Sequence, residues 1–239
     1  MMRPRTSRHL LPAALLLALG LPLQAVSAAD VRFGNVAPTG EVLQAKVHTL
    51  REMKFRNIVP QGTDFSCGAA ALATLLKHAY DIDVDEWTVM AGMLARADPA
   101  KVEKQGFSML DIKRYVEGLG MRGRGYKVSE QRLRSLRVPG IVLLDTRGYK
   151  HFVVLKRIAG DRVYVADPAL GNKTYGFDEF MAAWPSKAVF VVIGSGFNRN
   201  TALLDASSGP SARTLLGDRR GPITDAELID FGFTHADLF

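Results

Sequence analysis

The chain has 239 residues, a formal net charge of +7 and a single cysteine. Three of the positive charges, Arg3, Arg5 and Arg8, precede an apolar run, which leaves +4 on the remainder; its basic residues are interleaved with acidic ones, which argues against a nucleic-acid module. One cysteine excludes a disulfide scaffold within the chain, and the roughly 210 residues beyond the leader suffice for one domain with a full core and some tail.

In chain order, residues 1–28 read as a signal peptide. A basic start is followed by the apolar run Leu10 to Leu23 and by the small residues Val26-Ser27-Ala28-Ala29, which suit cleavage. The run is shorter than the ~20 residues a membrane-spanning helix needs, and no later segment reaches that length. The mature chain is therefore expected to be exported, periplasmic and without a transmembrane segment. Residues 29–57 form an N-terminal extension in which Val42, Leu43 and Val47 suit a short helix or a strand pair.

Residues 58–196 carry the pattern of a domain. The proline, glycine and polar residues of 58–66 predict a loop, and the Ala/Leu-rich run from Cys67 to about Tyr80 predicts a helix. Further helices are expected over 84–95, with Asp83 or Asp85 at the start, over 108–119, with Ser108 and Asp111 as a capping box and Gly120 as the stop, and over 129–136. The clustered arginines Arg122, Arg124 and Arg132 to Arg137 read as solvated helix face. After Pro139 the texture becomes β-branched. Ile141 to Leu144, Phe152 to Leu155 and Val163 to Val165 predict strands joined by turns at Arg147-Gly148 and at 158–161. Thr174-Tyr175 suits a short strand, 177–184 a helix and 188–193 a last strand. Helices followed by an antiparallel sheet is the α+β class. The tail, 197–239, has a linker at 207–210, a helix expected over 225–231 and no assigned role.

The cysteine carries the chemistry. Cys67 stands where a polar loop becomes a helix, so unpaired amides and the helix dipole favour a thiolate there, and Gly68 permits close backbone approach. Such a nucleophile needs a base within hydrogen-bond reach. His78 lies on the same helix, roughly 16 Å along the axis, too far to serve; His48 and His235 lie near the two ends of the mature chain. His151 begins the strand after the Gly148 turn, and a hairpin through 158–161 returns Asp167 almost opposite it, as the carboxylate that orients the ring. Gln61, in the approach loop, offers a side-chain amide to a developing oxyanion beside the backbone N–H of Cys67.

These residues, Gln61 with Cys67-Gly68, then His151-Phe152-Val153-Val154, then Asp167-Pro168, resemble the double-glycine-leader peptidases that process bacteriocin precursors, a family of papain-like cysteine proteases. The resemblance covers about residues 55–195. It implies a papain-like fold and hydrolysis through a Cys67 acyl-enzyme, with His151 as base, Asp167 as orienting carboxylate and Gln61 as oxyanion donor. No metal or organic cofactor is implied. The substrate implied is a peptide or protein with small residues such as glycine before the cleaved bond. Ser66 and Lys150 depart from the family's Asp and Gly and bear on substrate fit. Without a fused transporter and ATPase, and with a signal peptide, the chain resembles stand-alone members found beside secretion systems that export functional amyloid. Such a system is the partner implied. Two alternatives stay open: a non-catalytic peptide-binding adaptor of the same fold, and another acyl-transfer enzyme such as a cell-wall amidase or a transglutaminase-like acyltransferase.

Overall fold

The computed structural model describes residues 29–33 and 43–205, with side chains from residue 48 onward. The expected signal peptide and the helix expected over 225–231 lie outside the described residues. The chain divides into two units, Met1–His48 and Thr49–Phe239. In the first, β1 (Ala29–Phe33) and β2 (Leu43–Val47) pair antiparallel, the strand-pair outcome of the two expected for this segment.

The second unit opens with α1 (Leu50–Lys54), α2 (Cys67–Tyr80), α3 (Glu86–Leu94), α4 (Pro99–Gln105) and α5 (Met109–Gly118). There follow β3 (Arg122–Lys127), α6 (Glu130–Arg134), β4 (Gly140–Thr146), β5 (Tyr149–Ala159), β6 (Arg162–Asp167), β7 (Gly171–Gly176), α7 (Phe177–Ala183) and β8 (Ala188–Ile193). A 3₁₀ turn, Ala202–Leu204, is the last described element. The strands form one antiparallel sheet in the order β3-β8-β4-β5-β6-β7. This is the α+β arrangement expected from the sequence.

Local chemistry explains most boundaries. Asp85 caps α3 by accepting from the Thr88 amide at 2.7 Å, and Ser108 with Asp111 forms the capping box of α5. Ser129 caps α6. Helix α4 was not expected, although Asp98 accepts from the Ala100 amide and Pro99 fills the first helical position, both ordinary start signals. The arginines Arg122 and Arg124 belong to edge strand β3, not to a helix face. Gly123 makes that strand possible, because a Cβ there would stand 2.5 Å from the Phe190 ring on β8.

The sheet is covered on both faces, which is why its strands read as unbroken apolar runs rather than alternating ones. On one face Ile141, Phe152, Val154, Ala166, Phe190 and Val192 pack with α2, α3 and α5. Helix α2 is buried from Cys67 through Leu76, as its continuous Ala/Leu content demands. On the other face Val142, Leu144, Val153, Leu155, Val163, Val165 and Val189 pack with Leu133 of α6 and with Phe177, Phe180 and Trp184. The segment beyond residue 196 continues onto the first face. Leu203 is fully buried, the Asn198 amide donates to Ala79 O at 2.8 Å, and the Thr201 hydroxyl donates to His78 O. No helix among the described residues is long and apolar enough to cross a membrane.

One irregularity matters for the site. The β5–β6 hairpin turns at Gly160-Asp161, tighter than the 158–161 turn expected, and pairs Ile158 with Val163 and Arg157 with Tyr164. Beyond Lys156 the register slips by one residue, so that Leu155 pairs with Val165 and Val154 with Ala166. Continued one step, this register sets Asp167 beside Val153, two residues further along β5 than His151. Lys156 is the extra residue of a β-bulge.

Phe180 anchors the second face, fully buried with its ring 5.4 Å from Trp184 and 6.3 Å from Tyr175. Phe180→Ala is expected to cost about 3–5 kcal/mol, the usual range for emptying such a site. Equilibrium urea unfolding followed by tryptophan fluorescence measures it; a loss under about 1 kcal/mol would mean that this face is not a packed core.

Candidate active site

Cys67 is the first residue of α2. The residue before it, Ser66, stands at the N-cap position, yet its side chain does not cap the helix. Its hydroxyl instead donates to Thr63 O at 2.7 Å and accepts from the Thr63 amide at 3.2 Å, folding the approach loop back on itself. No acidic residue stands in the first turn. The first amides of α2 thus keep their positive end for another negative group, and the Cys67 sulfur is at that end. Gly68 lets the helix start seat tightly: a Cβ there would lie 3.3 Å from the Phe152 ring, 3.5 Å from Phe107 Cβ and 3.6 Å from Ile112. Phe152 follows His151, so this seat brings the helix start to the start of the apolar part of β5.

His151 and Asp167 meet through Nε2 and Oδ1 at 2.8 Å, both side chains buried. The same Oδ1 accepts from the Ala169 amide at 2.8 Å and the Leu170 amide at 3.0 Å, so the turn after Asp167 fixes the carboxylate. In the neutral ring Nε2 carries the proton that Asp167 accepts, leaving the lone pair on Nδ1. Nδ1 is buried and takes no regular hydrogen bond from the surrounding polar groups. Cys67 joins Asp167 in raising the pKa of the ring.

The electrostatics follow from this enclosure. Burial by itself drives the His151 pKa down; the hydrogen bonds and charges of Asp167 and Cys67 outweigh it and hold the imidazole at about 9. Burial likewise raises the Asp167 pKa, and His151 with the Leu170 and Ala169 amides brings it below the usual carboxylate value. Asp167 and Cys67 thus both favour the protonated ring. His78, in the last turn of α2, is pushed the other way, chiefly by burial and next by Lys77. His48 ends the first unit and His235 lies outside the described residues.

Gln61 lies against the same corner. Its backbone amide donates to Pro168 O at 2.9 Å, which ties the approach loop to the turn that carries Asp167. Its side-chain Nε2 donates to Thr63 O at 3.3 Å, and Oε1 is buried without a partner. Of the two family departures, Ser66 is wholly buried and shapes the loop from within, whereas Lys150 is exposed and pairs across the ladder with Asp145.

Two residues near the site were not singled out from the sequence. Tyr149, 57% exposed, lays its ring over the His151 imidazole at 5.8 Å and 24° between planes. An aromatic two positions before a strand histidine is the signal that could have found it, since alternate residues share a face. Glu86, buried at the start of α3, accepts from the Gly62 amide next to Gln61; nothing in the local pattern distinguishes it from an ordinary first-turn acid. Among the described residues no cluster of three or more His, Cys, Asp or Glu is placed to hold a metal ion.

Comparison with known proteins gives the family. The model of the Peptidase C39 family matches residues 56–196. A Pseudomonas fluorescens protein named probable functional amyloid protease FapD is 51% identical over 205 residues, covering 86% of this chain and 90% of its own length. Its namesake from Pseudomonas aeruginosa is 52% identical over 202 residues, covering 84% and 88%. Among solved structures, a double-glycine-motif protease from an AMS/PCAT transporter, crystallised with its leader peptide, superposes with a TM-score of 0.50 at 24% identity, over 58% of this chain and 91% of that one. The family model over residues 56–196 and the two Pseudomonas relatives give one assignment: the chain belongs to the Peptidase C39 family and is a cysteine peptidase of papain-like fold.

Proposed function

We propose that this peptidase works in the periplasm as an endopeptidase on a protein handled by a functional-amyloid export system, with Cys67 as nucleophile, His151 as acid–base, Asp167 as orienting carboxylate and Gln61 as oxyanion donor. The observation that carries the reading is the buried His151–Asp167 hydrogen bond, which fixes the ring through Nε2, on the strand that Gly68, next to Cys67, packs against through Phe152. The leader-like residues 1–28 support export. The names of the two Pseudomonas relatives support the amyloid substrate, and the leader peptide bound to the solved double-glycine protease supports a peptide with small residues before the scissile bond.

The steps follow from the contacts. The Cys67 thiolate adds to the scissile carbonyl carbon, and the oxygen takes the negative charge between the Cys67 amide and the Gln61 side chain. His151 gives its Nδ1 proton to the leaving nitrogen, the C–N bond breaks and a thioester remains. A water molecule, losing a proton to Nδ1, attacks the thioester and releases the acid and the Cys67 thiolate beside the reprotonated ring. Asp167 keeps the ring in the orientation both proton transfers need.

Cys67→Ala is expected to abolish cleavage of a peptide ending in Gly-Gly-aminomethylcoumarin, a loss on the order of 10⁴-fold or more, with circular dichroism unchanged. Retained activity would sink the assignment. Binding of a Gly-Gly peptide by wild-type protein with no turnover of any peptide or exported protein would favour the adaptor reading instead.

The raised His151 pKa sets the pH dependence. The imidazolium needed beside the thiolate persists through neutrality and is lost as pH rises through about 9, so kcat/KM should fall there. Asp167→Asn removes the charge that holds the value up and should move this alkaline limb to lower pH; an unmoved limb would assign it to another group. The sign for stability is the same. The folded pKa lies above the unfolded value of about 6.5, so the contribution is complete below that pH and fades as pH passes about 9. Melting temperatures of wild type and His151→Gln should therefore converge over that window.

A further inference from the structure

The acidic side chain that opens α3 has no place in the chemistry above, and its surroundings are unusual. Glu86 is 5% exposed, and no ion pair of the described residues includes it. A buried carboxylate is costly unless charge or hydrogen bonds compensate it. The N-terminus of α3 supplies part of that compensation. The remainder is one backbone donor: the Gly62 amide lies 2.8 Å from Oε1 and 2.9 Å from Oε2, so both oxygens of the carboxylate are directed at a single N–H.

That N–H belongs to the residue after Gln61. The preceding amide, that of Gln61 itself, donates to Pro168 O at 2.9 Å. Two consecutive amides are thus held from different elements, one by the turn that carries Asp167 and one by α3. Between them the backbone of Gln61 has little room to shift, and its side chain starts from a fixed point, with Nε2 donating to Thr63 O at 3.3 Å. Gly62 is part of the device. A Cβ there would lie 3.0 Å from Glu86 Oε2 and 3.9 Å from the Trp87 ring, so a larger residue pushes the carboxylate and the loop apart.

We propose that Glu86 is a positioning residue that clamps the Gln61–Gly62 peptide and so holds the Gln61 amide where the oxyanion forms. The proposal rests on the reading of Gln61 as oxyanion donor. It separates two parts of the site that are otherwise hard to tell apart: the Cys67–His151–Asp167 set, which generates the nucleophile, and the Gln61 loop, which receives the charge.

The test uses that separation, with the full chain, the Gly-Gly-aminomethylcoumarin peptide, the matching Gly-Gly peptide aldehyde and iodoacetamide. Alkylation of Cys67 by iodoacetamide needs the thiolate but forms no oxyanion, whereas peptide hydrolysis and aldehyde addition both form one. Glu86→Ala is expected to lower kcat by about 10- to 10²-fold, somewhat less than outright loss of an oxyanion donor, with KM little changed. Aldehyde affinity should weaken in parallel, while the alkylation rate stays within about twofold of wild type. Glu86→Gln, which keeps an acceptor for the Gly62 amide, should recover most of the loss. In a Gln61→Ala background Glu86→Ala should add almost nothing, because it acts through a group already removed. If Glu86→Ala does not fold, Gly62→Ala opens the same clamp by a few tenths of an ångström without removing the charge, and the same selective loss is expected.

Alkylation falling together with kcat would overturn the proposal, because Glu86 would then support the whole site rather than the loop. So would unchanged kcat in folded Glu86→Ala and Gly62→Ala, or additive losses with Gln61→Ala. Normal kcat in Gln61→Ala, beside an inactive Cys67→Ala, would remove the oxyanion role of Gln61 while leaving the peptidase chemistry standing; an active Cys67→Ala would remove the chemistry itself.

Discussion

Helix α2 and strand β5 share no hydrogen-bonded ladder, and the candidate site depends on how closely they pack where Gly68 meets Phe152. From Cys67 through Leu76 the helix is buried on all sides, so it is drawn into the core lengthwise, packing with the sheet and with α3 and α5. Its first residue would be carried wherever that burial left it, were the approach at the N-terminus not so close. A missing side chain at residue 68 lets the helix start rest on an aromatic ring whose neighbour in the chain is the histidine. Packing density thereby sets a chemical distance, since small changes in volume at such a contact are transmitted rather than absorbed.

Around that contact lies a set of polar groups that are buried and must be satisfied. His151 and Asp167 satisfy each other, and the amides of Ala169 and Leu170 complete the carboxylate. Pro168 contributes the carbonyl that anchors Gln61, so the turn after Asp167 serves both the acid and the approach loop. Ser66 finishes that loop internally and leaves the helix terminus uncapped. Desolvation, which weakens isolated charges, here strengthens the attraction between neighbouring ones, and the opposite displacements of the His151 and Asp167 pKa values express that balance.

The bulge at Lys156 ties this site to the end of the described chain. The extra residue lets both Lys156 and Arg157 serve the 3₁₀ turn: Arg157 donates to Leu204 O at 3.2 Å, and Lys156 lies within electrostatic reach of Asp205 while bonding Asn172 at 2.9 Å. The same slip of one residue puts Asp167 on the face of the sheet that His151 faces. Counted regularly from the Gly160-Asp161 turn, Asp167 would stand opposite Val154, and alternate residues point to opposite sides. One irregular residue thus serves the anchoring of the segment beyond residue 196 and the alignment of acid and base together.

What the residues alone determined was local or pairwise in nature. Helix starts were legible because Asp85, Ser108 and Ser129 bond amides within their own first turns, and strands were legible because β-branched runs between turn residues have few other uses. Cys67 and Asp167 could be singled out because each stands at the end of an element, and His151 because it lies just past the Gly148 turn, although β5 begins two residues earlier, at Tyr149; the motif they form with Gln61 resembles that of a family of peptidases. Edge strand β3 escaped notice since its glycines and arginines favour a strand only when Phe190 lies beneath them. The bulge and the carboxylate beneath Gly62 were decided by tertiary structure. Each depends on groups that are distant in sequence and acquire meaning only when burial brings them together, and no short-range pattern encodes which distant atom will be met.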